Sequence, residues 1–250
     1  MMARRVAAGR GWEWMVEGWR LFMKSPGLWT AMLLIYLGIV IVLSFIPWVG
    51  ALASTLITPA LSGGMLYGAA ALARDEKLDI AYLFRAFQDQ ERLGPMLTLG
   101  AFSLAGSIII ILVIAGFVAS AALGGGHMAG VDDTGVMDMA LGIVLFVSLI
   151  ILLIATVLAM AMFYGVPLVM LEGVTPWQAV KDSVMACLEN VMPLLVFSLV
   201  YLVLIFLALI PLGLGFLIVG PMTFGAMYAS YRDVFSDEPQ GQAPVAPPPL

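Results

Sequence analysis

The sequence predicts an all-α integral membrane protein with six transmembrane helices, arranged as three parallel repeats of an amphipathic surface helix followed by a transmembrane hairpin. Hydrophobic residues make up 62% of the chain and charged residues 11%, and the mean hydropathy of +1.07 is far above that of soluble domains. Uncharged segments of about 20 residues, enough to cross a bilayer, alternate with short charged segments. The predicted spans are residues 27–45, 48–73, 96–123, 139–171, 192–210 and 212–231.

The first repeat begins with residues 1–26, which we interpret as a cytoplasmic N-terminus containing an amphipathic helix. Trp12 and Trp19 lie on one apolar face of that helix, opposite its charged residues. Pro26 then precedes the first predicted hairpin, residues 27–73. We therefore expect the helix to lie along the membrane surface and to anchor the hairpin.

The second repeat begins in the charged segment 74–92, where Asp79 is a predicted helix cap and Phe84 belongs to a short apolar face. The two spans that follow are joined by a glycine-rich, acidic connection. The second of these, residues 139–171, would reach about 50 Å as a helix, more than a bilayer requires. We expect it to project beyond the membrane on the outer side.

The third repeat begins with a segment in which Thr175 is a predicted N-cap, Pro176 a first helical residue and Gln178 the partner in a capping box. Trp177 starts the apolar face of this helix. Two further spans follow. Residues 232–250 form a polar, proline-rich tail, which we expect to be disordered and cytoplasmic.

Each returning span ends in a similar way. Tyrosines lie near the three ends, and Arg74, Glu172 and Arg232 are the first charged residues after them. Tyrosine and tryptophan are also typical of the aromatic belt at a membrane surface. We interpret the following residues as interfacial anchors: Trp12, Trp19, Tyr67, Phe84, Tyr164, Trp177 and Tyr228.

The distribution of positive charge predicts the topology. All eleven Lys and Arg residues fall in the N-terminal segment, the segment 74–92, the helix after Thr175 and the start of the tail. The three other connections carry none. Because cytoplasmic loops are enriched in Lys and Arg, both termini and all three surface helices are predicted to be cytoplasmic.

Ionisable residues are absent from the predicted core of every span. Proton-coupled transport and intramembrane catalysis depend on such residues, so we expect no enzyme activity, no cofactor and no metal. His127, with Asp132, Asp133 and Asp138 nearby in sequence, is a weak candidate for a divalent cation because one imidazole in a loop rarely makes a site. The chain also has no basic patch that would indicate nucleic-acid binding.

The second span is the most polar of the six. Ser54, Thr58 and Ser62 recur every fourth residue, and so do Ala60, Gly64 and Gly68, a spacing that favours close helix packing. The alternative is a solute path, in which Pro59 and Pro221 break spans two and six and expose backbone carbonyls. Packing and a path both stay open at this point.

The stretch Pro167 to Leu195, PLVMLEGVTPWQAVKDSVMACLENVMPLL, together with six spans and short surface helices, is similar to a family of uncharacterised bacterial inner-membrane proteins, a domain of unknown function. The resemblance covers nearly the whole chain except the tail. It implies a six-helix fold in the bacterial inner membrane. It assigns no activity and no functional residue.

These observations favour a non-catalytic accessory or scaffold partner of other membrane components. The alternative is a carrier or channel for a neutral or apolar solute, since a path without ionisable residues discriminates only by size and a few hydroxyls. We expect membrane lipids and other membrane proteins, or a second copy of the chain, as partners, and no nucleic acid.

Overall fold

The computed structural model describes residues 3–124 and 133–235, and within these ranges every regular element is helical. The elements are α1 (Arg10–Lys24), α2 (Pro26–Ser44), α3 (Val49–Ala73), a 3₁₀ turn (Ile80–Phe84), α4 (Arg85–Gln88), α5 (Gln90–Gly124), α6 (Asp133–Pro167), a π-helical turn (Leu168–Glu172), α7 (Pro176–Glu189), α8 (Val191–Leu209) and α9 (Phe216–Phe235). The predicted fold class, all-α, is confirmed for the described residues.

Five helices in the described residues are long and apolar enough to cross a membrane: α2, α3, α5, α8, and α6 together with the π-helical turn. Their lengths and hydropathies are those of a helical membrane protein. The predicted sixth span, residues 212–231, corresponds to α9, which is not among the five. Helix α9 begins only at Phe216, and its last turn carries Arg232 and Asp233. Six spans and the threefold repeat therefore stay predictions.

The hydrophobic core is formed by α1, α2, α3 and α9 together with the 3₁₀ turn, the end of α6 and the π-helical turn. Its fully buried side chains include Trp14, Trp29 and Leu83. Gly18 allows helix α1 to approach α9 closely. A Cβ at this position would lie 2.4 Å from the carbonyl oxygen of Met222 in α9. Helix α1 is thus a packed part of the bundle rather than only a surface helix.

The N-terminal segment is fastened to the end of α9 through Asp233, which is 2% exposed. Arg4 Nη2 donates to its carboxylate at 3.0 Å, Arg10 Nε at 2.6 Å, and the Trp14 indole N–H at 2.9 Å. Helix α9 continues to Phe235, so residues 232–235 are helical and do not belong to the predicted tail. Residues 236–250 lie outside the described residues.

Helix α7 begins at Pro176, as predicted, but the predicted capping box is wrong. The Thr175 side chain makes no cap hydrogen bond, and the Gln178 amide instead donates to Asp182 one helical turn later, at 2.6 Å. A capping box would instead use the Gln178 amide oxygen as the acceptor for the Thr175 backbone N–H. The carboxylate of Asp182 is a charged and therefore strong acceptor for the Gln178 amide N–H. By contrast, Asp79 does cap the 3₁₀ turn and accepts from the backbone N–H of Ala81 at 2.8 Å.

The face of α7 that packs on the protein carries small residues: Ala179, Ser183, Ala186 and Cys187. The Ser183 hydroxyl inserts into the backbone hydrogen bonds of α6, because it accepts from Tyr164 N at 3.0 Å and donates to the carbonyl of Met160. Trp177, which begins the predicted apolar face, is 59% exposed. The larger apolar residues of α7 therefore point away from the bundle.

Helices α5 and α6 are the longest elements, with 35 residues each, or about 52 Å at 1.5 Å per residue. They contact each other where Gly106 faces the Leu158 side chain. Large apolar residues are exposed between Ile108 and Val118 in α5 and between Leu141 and Val157 in α6. The connection that holds His127 and Asp132 lies outside the described residues, so the candidate cation site stays a prediction.

Candidate functional site

A polar cavity of about 460 Å³ opens where the ends of α3, the π-helical turn and α9 meet the short elements that precede α5. These are the ends at which apolar helices give way to charged residues. The cavity is lined by Tyr67, Ala70, Arg74, Arg85, Asp89, Arg92, Met170, Leu171, Glu172, Tyr228, Tyr231, Arg232 and Phe235. We call it the arginine cavity.

The lining contains four arginines and two carboxylates. Each arginine comes from a different position: Arg74 follows α3, Arg85 begins α4, Arg92 lies in the first turns of α5, and Arg232 lies in the last turn of α9. The formal charge of the lining is four minus two, or +2. Hydrogen-bond donors of long, basic side chains thus converge on one volume.

Arg85 is positioned by aromatic rings. Its guanidinium carbon lies 5.4 Å from the centre of the Tyr67 ring, within the range of a cation–π interaction. The Tyr67 ring is itself held edge-on by Tyr82, with centroids 5.1 Å apart. Arg85 lines the cavity, and none of the described ion pairs involves it.

Arg92 is positioned by the backbone of the π-helical turn. Its Nη1 donates to the carbonyl oxygen of Val169 at 2.9 Å. The turn ends at Gly173, whose φ of +72° is a left-handed conformation that favours glycine. A Cβ at Gly173 would also lie 2.1 Å from Arg92 Nη1. Glycine suits this position for two reasons: it adopts the left-handed backbone conformation readily, and it leaves room for the Arg92 guanidinium.

The two carboxylates of the lining already accept hydrogen bonds from the protein. The Tyr231 hydroxyl donates to Glu172 at 2.7 Å, and the backbone N–H of Glu91 donates to Asp89 at 3.0 Å. Neither makes an ion pair with Arg85 or Arg92 in the described part of the chain. The acids therefore shape the wall of the cavity rather than neutralise those two arginines.

The other two arginines pair with carboxylates outside the lining. Arg74 donates to Glu76 at 2.7 Å, and this hydrogen bond raises the pKa of Arg74 and lowers the pKa of Glu76. Arg232 donates to Glu17 at 2.9 Å. Glu76 and Glu17 are 47% and 35% exposed, and pairs of this kind are weak because water screens them.

The predicted interfacial anchors lie in different environments. Tyr67 and Tyr228 line the arginine cavity, whereas Tyr164 is fully buried and shares a 2.6 Å hydrogen bond with Ser230. With no exposed surface, Tyr164 is a core residue and not an anchor. Trp12 and Trp19 are 57% and 44% exposed. The remaining two contact other rings: Phe84 with Phe87 and Trp177 with Phe102.

A second cavity, of about 440 Å³, lies between α3, α5, α6 and α9. Thr58, Pro59 and Ser62, which belong to the predicted packing face or solute path, line this cavity. Ser103 of α5 adds a further hydroxyl. The Thr58 hydroxyl donates to the carbonyl of Ser54 at 2.7 Å, so its proton is used within α3 and its oxygen remains an acceptor. We call this the hydroxyl cavity.

The small residues of α3 pack closely, in agreement with the packing interpretation. A Cβ at Gly64 would lie 2.2 Å from the carbonyl oxygen of Leu83, and one at Gly68 would lie 2.9 Å from the Leu78 side chain. The solute-path alternative places helix breaks at Pro59 and Pro221, whereas α3 and α9 continue through both prolines. Both prolines are buried, and neighbouring helices support the backbone there.

Sequence reasoning identified Arg74, Glu172 and Arg232 as the first charges after each returning helix, and the structure brings all three to one cavity. The sequence did not assign Arg85 and Arg92 to a site, because their positive charges served only to predict which connections are cytoplasmic. Among the described residues, no group of three His, Cys, Asp or Glu side chains is arranged to hold a metal ion.

A family model described as "Protein of unknown function (DUF975)" matches residues 23–237. That range includes every residue of both cavities. No curated protein and no solved structure matches the chain.

Proposed function

The chain belongs to the DUF975 family of proteins of unknown function, and from its geometry we propose that it is a non-catalytic accessory or scaffold partner of other components of the bacterial inner membrane. The observation that carries this proposal is the α5–α6 pair. Both helices are far longer than the others and leave apolar surface without a partner in the described residues.

The proposed topology has six spans, three hairpins and both termini in the cytoplasm. The sorting of all eleven Lys and Arg residues to alternate connections supports it. The sixth span is supported by the uncharged stretch from Leu212 to Tyr231, which enters α9. An even number of spans also returns the chain to the side on which it began.

The length of α6 supports the proposal of a partner. Its apolar segment, Leu141–Glu172, has 32 residues, about 48 Å of helix against a hydrocarbon core of about 30 Å. Helices α2 and α8 have 19 residues each and match the core. We place the excess of α6 at its start, where the side chains of Leu141, Leu145 and Leu149 are exposed by 56% to 62%.

Exposed leucines in the excess segment are costly in water, since burying one such side chain is worth about 1.5–3 kcal/mol. Leu141, Leu145 and Leu149 recur every fourth residue, so they form one stripe along α6. Another membrane protein that covers this stripe would remove the cost. A scaffold role follows, because the hairpin would present a fixed apolar edge to a specific neighbour.

Photo-crosslinking in living cells tests this proposal. A photoreactive amino acid at Leu145 is expected to give a discrete protein adduct that mass spectrometry identifies. The matched control is Leu207 in α8, which is 54% exposed on a helix of ordinary length, and it is expected to give lipid adducts alone. Lipid adducts alone at both positions would contradict the scaffold proposal.

The hydroxyl cavity favours a second candidate function, a carrier for a neutral or apolar solute. It combines the hydroxyls of Thr58, Ser62 and Ser103 with apolar walls, a mixture typical of small-molecule sites. Solute uptake by liposomes containing the pure protein would favour the carrier if Thr58→Val abolished it without lowering the melting temperature. Absence of uptake across neutral solutes would favour the scaffold.

A further inference from the structure

We propose that the arginine cavity binds a phosphate group, carried either by a lipid headgroup or by a small phosphate ester. The proposal rests on Arg85 and Arg92, which line the cavity and make no ion pair with a carboxylate in the described ranges. A guanidinium presents several N–H donors in a planar fork that fits two phosphate oxygens at once.

Most donors of these two side chains are available to a ligand. Arg92 uses its Nη1 on Val169, and Arg85 makes a cation–π contact with the Tyr67 ring. That contact is not a hydrogen bond to a protein acceptor. Both side chains are thus held in place by contacts that do not consume the hydrogen bonds a phosphate would accept.

The other polar groups of the lining agree with an anionic ligand. The carboxylates of Glu172 and Asp89 already accept hydrogen bonds from Tyr231 and from a backbone N–H. The surface pairs of Arg74 and Arg232 are screened by water. A phosphate in the cavity would offer charged acceptor oxygens to the arginines of the lining.

The position of the cavity fits the level of phosphate groups in a membrane. It lies where α3 ends at Ala73 and where the apolar segment of α6 ends at Glu172. Basic pockets between helices at such ends are suited to anionic headgroups. Its volume of about 460 Å³ equals roughly fifteen waters of liquid, so a phosphate and the first atoms of its ester both have room.

Binding to the full chain in maltoside micelles tests the proposal. One arm titrates sodium phosphate against sodium chloride at equal ionic strength. The other titrates dioctanoyl phosphatidic acid against dioctanoylglycerol, which has the same tails without the phosphate. Binding of both phosphate probes, in competition, would identify the phosphate group itself as the ligand. Binding of phosphatidic acid alone would identify a lipid headgroup, and both results support the proposal.

Arg85→Gln is expected to raise the dissociation constant of the bound probe at least tenfold, and Arg85→Lys, which keeps the charge but loses the fork, by a smaller factor. Arg20→Gln removes an exposed arginine of α1 that does not line the cavity, and we expect a change within twofold. Equal melting temperatures without ligand will show that the variants are folded. No preference for the phosphate probes over their controls, or equal binding by Arg85→Gln and Arg20→Gln, would overturn the proposal.

Discussion

Replacing Asp233 by Asn should destabilise the protein by loosening the N-terminal segment from α9. The carboxylate is 2% exposed and accepts from Arg4, Arg10 and Trp14 at 3.0, 2.6 and 2.9 Å. Hydrogen bonds to charged groups contribute about 1.5–3 kcal/mol and neutral ones about 1 kcal/mol. Asn keeps one acceptor oxygen, and both arginines are partly exposed, so we expect a loss of about 2 kcal/mol.

Thermal melting in detergent measures this change. At about 2–4 °C per kcal/mol for a chain of this length, Asp233→Asn is expected to lower the melting temperature by roughly 4–8 °C. The control is Asp75→Asn, because the described ion pair of Asp75 is with Lys24 at the surface and its side chain is 86% exposed. This variant should leave the melting temperature nearly unchanged, since water screens exposed pairs. Equal melting temperatures for the two variants would refute the role assigned to Asp233.

Three further predictions concern the core and the cavity. Gly64→Ala should lower the melting temperature more than Gly63→Ala, because a Cβ at Gly64 meets the backbone of Leu83 at 2.2 Å, whereas one at Gly63 meets flexible methionine ends at 3.1 Å. Gly173→Ala should lower the free energy of unfolding by at least about 1 kcal/mol, because its φ of +72° is unfavourable for alanine. An unchanged melting temperature by circular dichroism would contradict the left-handed conformation assigned to Gly173. Burial raises the pKa of Cys187 to about 12, so at pH 8 alkylation should be over a hundredfold slower than for a free thiol and should accelerate about tenfold per pH unit. Rapid alkylation would show that the α7 interface opens.

The apolar helices were predictable because length and hydropathy alone specify them. Pro176 was also correctly placed at the first position of α7. Pro26 was predicted to precede the first span, whereas it is the first residue of α2. The packed face of α1 was not predictable in the same way. In a membrane protein both lipid and neighbouring helices accept apolar side chains, so a stripe such as Trp12 and Trp19 does not identify the core. Small residues such as Gly18 do so better, because they allow close approach.

The arginine cavity could be predicted only in part. The first charges after the returning helices were evident from the sequence, but nothing local relates Arg85 and Arg92 to Arg232, more than 100 positions away. Their meeting depends on tertiary packing of α5 against the π-helical turn. Tyr164 was misplaced for a similar reason, since its partner Ser230 lies on a distant helix.

In the proposed topology the chain crosses the membrane six times and the arginine cavity lies on the cytoplasmic side. Single cysteines at Lys77, at Leu212, which is 99% exposed between α8 and α9, and at Ser236 test it in a Cys187→Ala background. An impermeant maleimide should label the cysteine at Leu212 in intact spheroplasts. It should label those at Lys77 and Ser236 only after permeabilisation. Labelling at Ser236 in intact spheroplasts would contradict six spans, and labelling at Lys77 would contradict the cytoplasmic placement of the cavity.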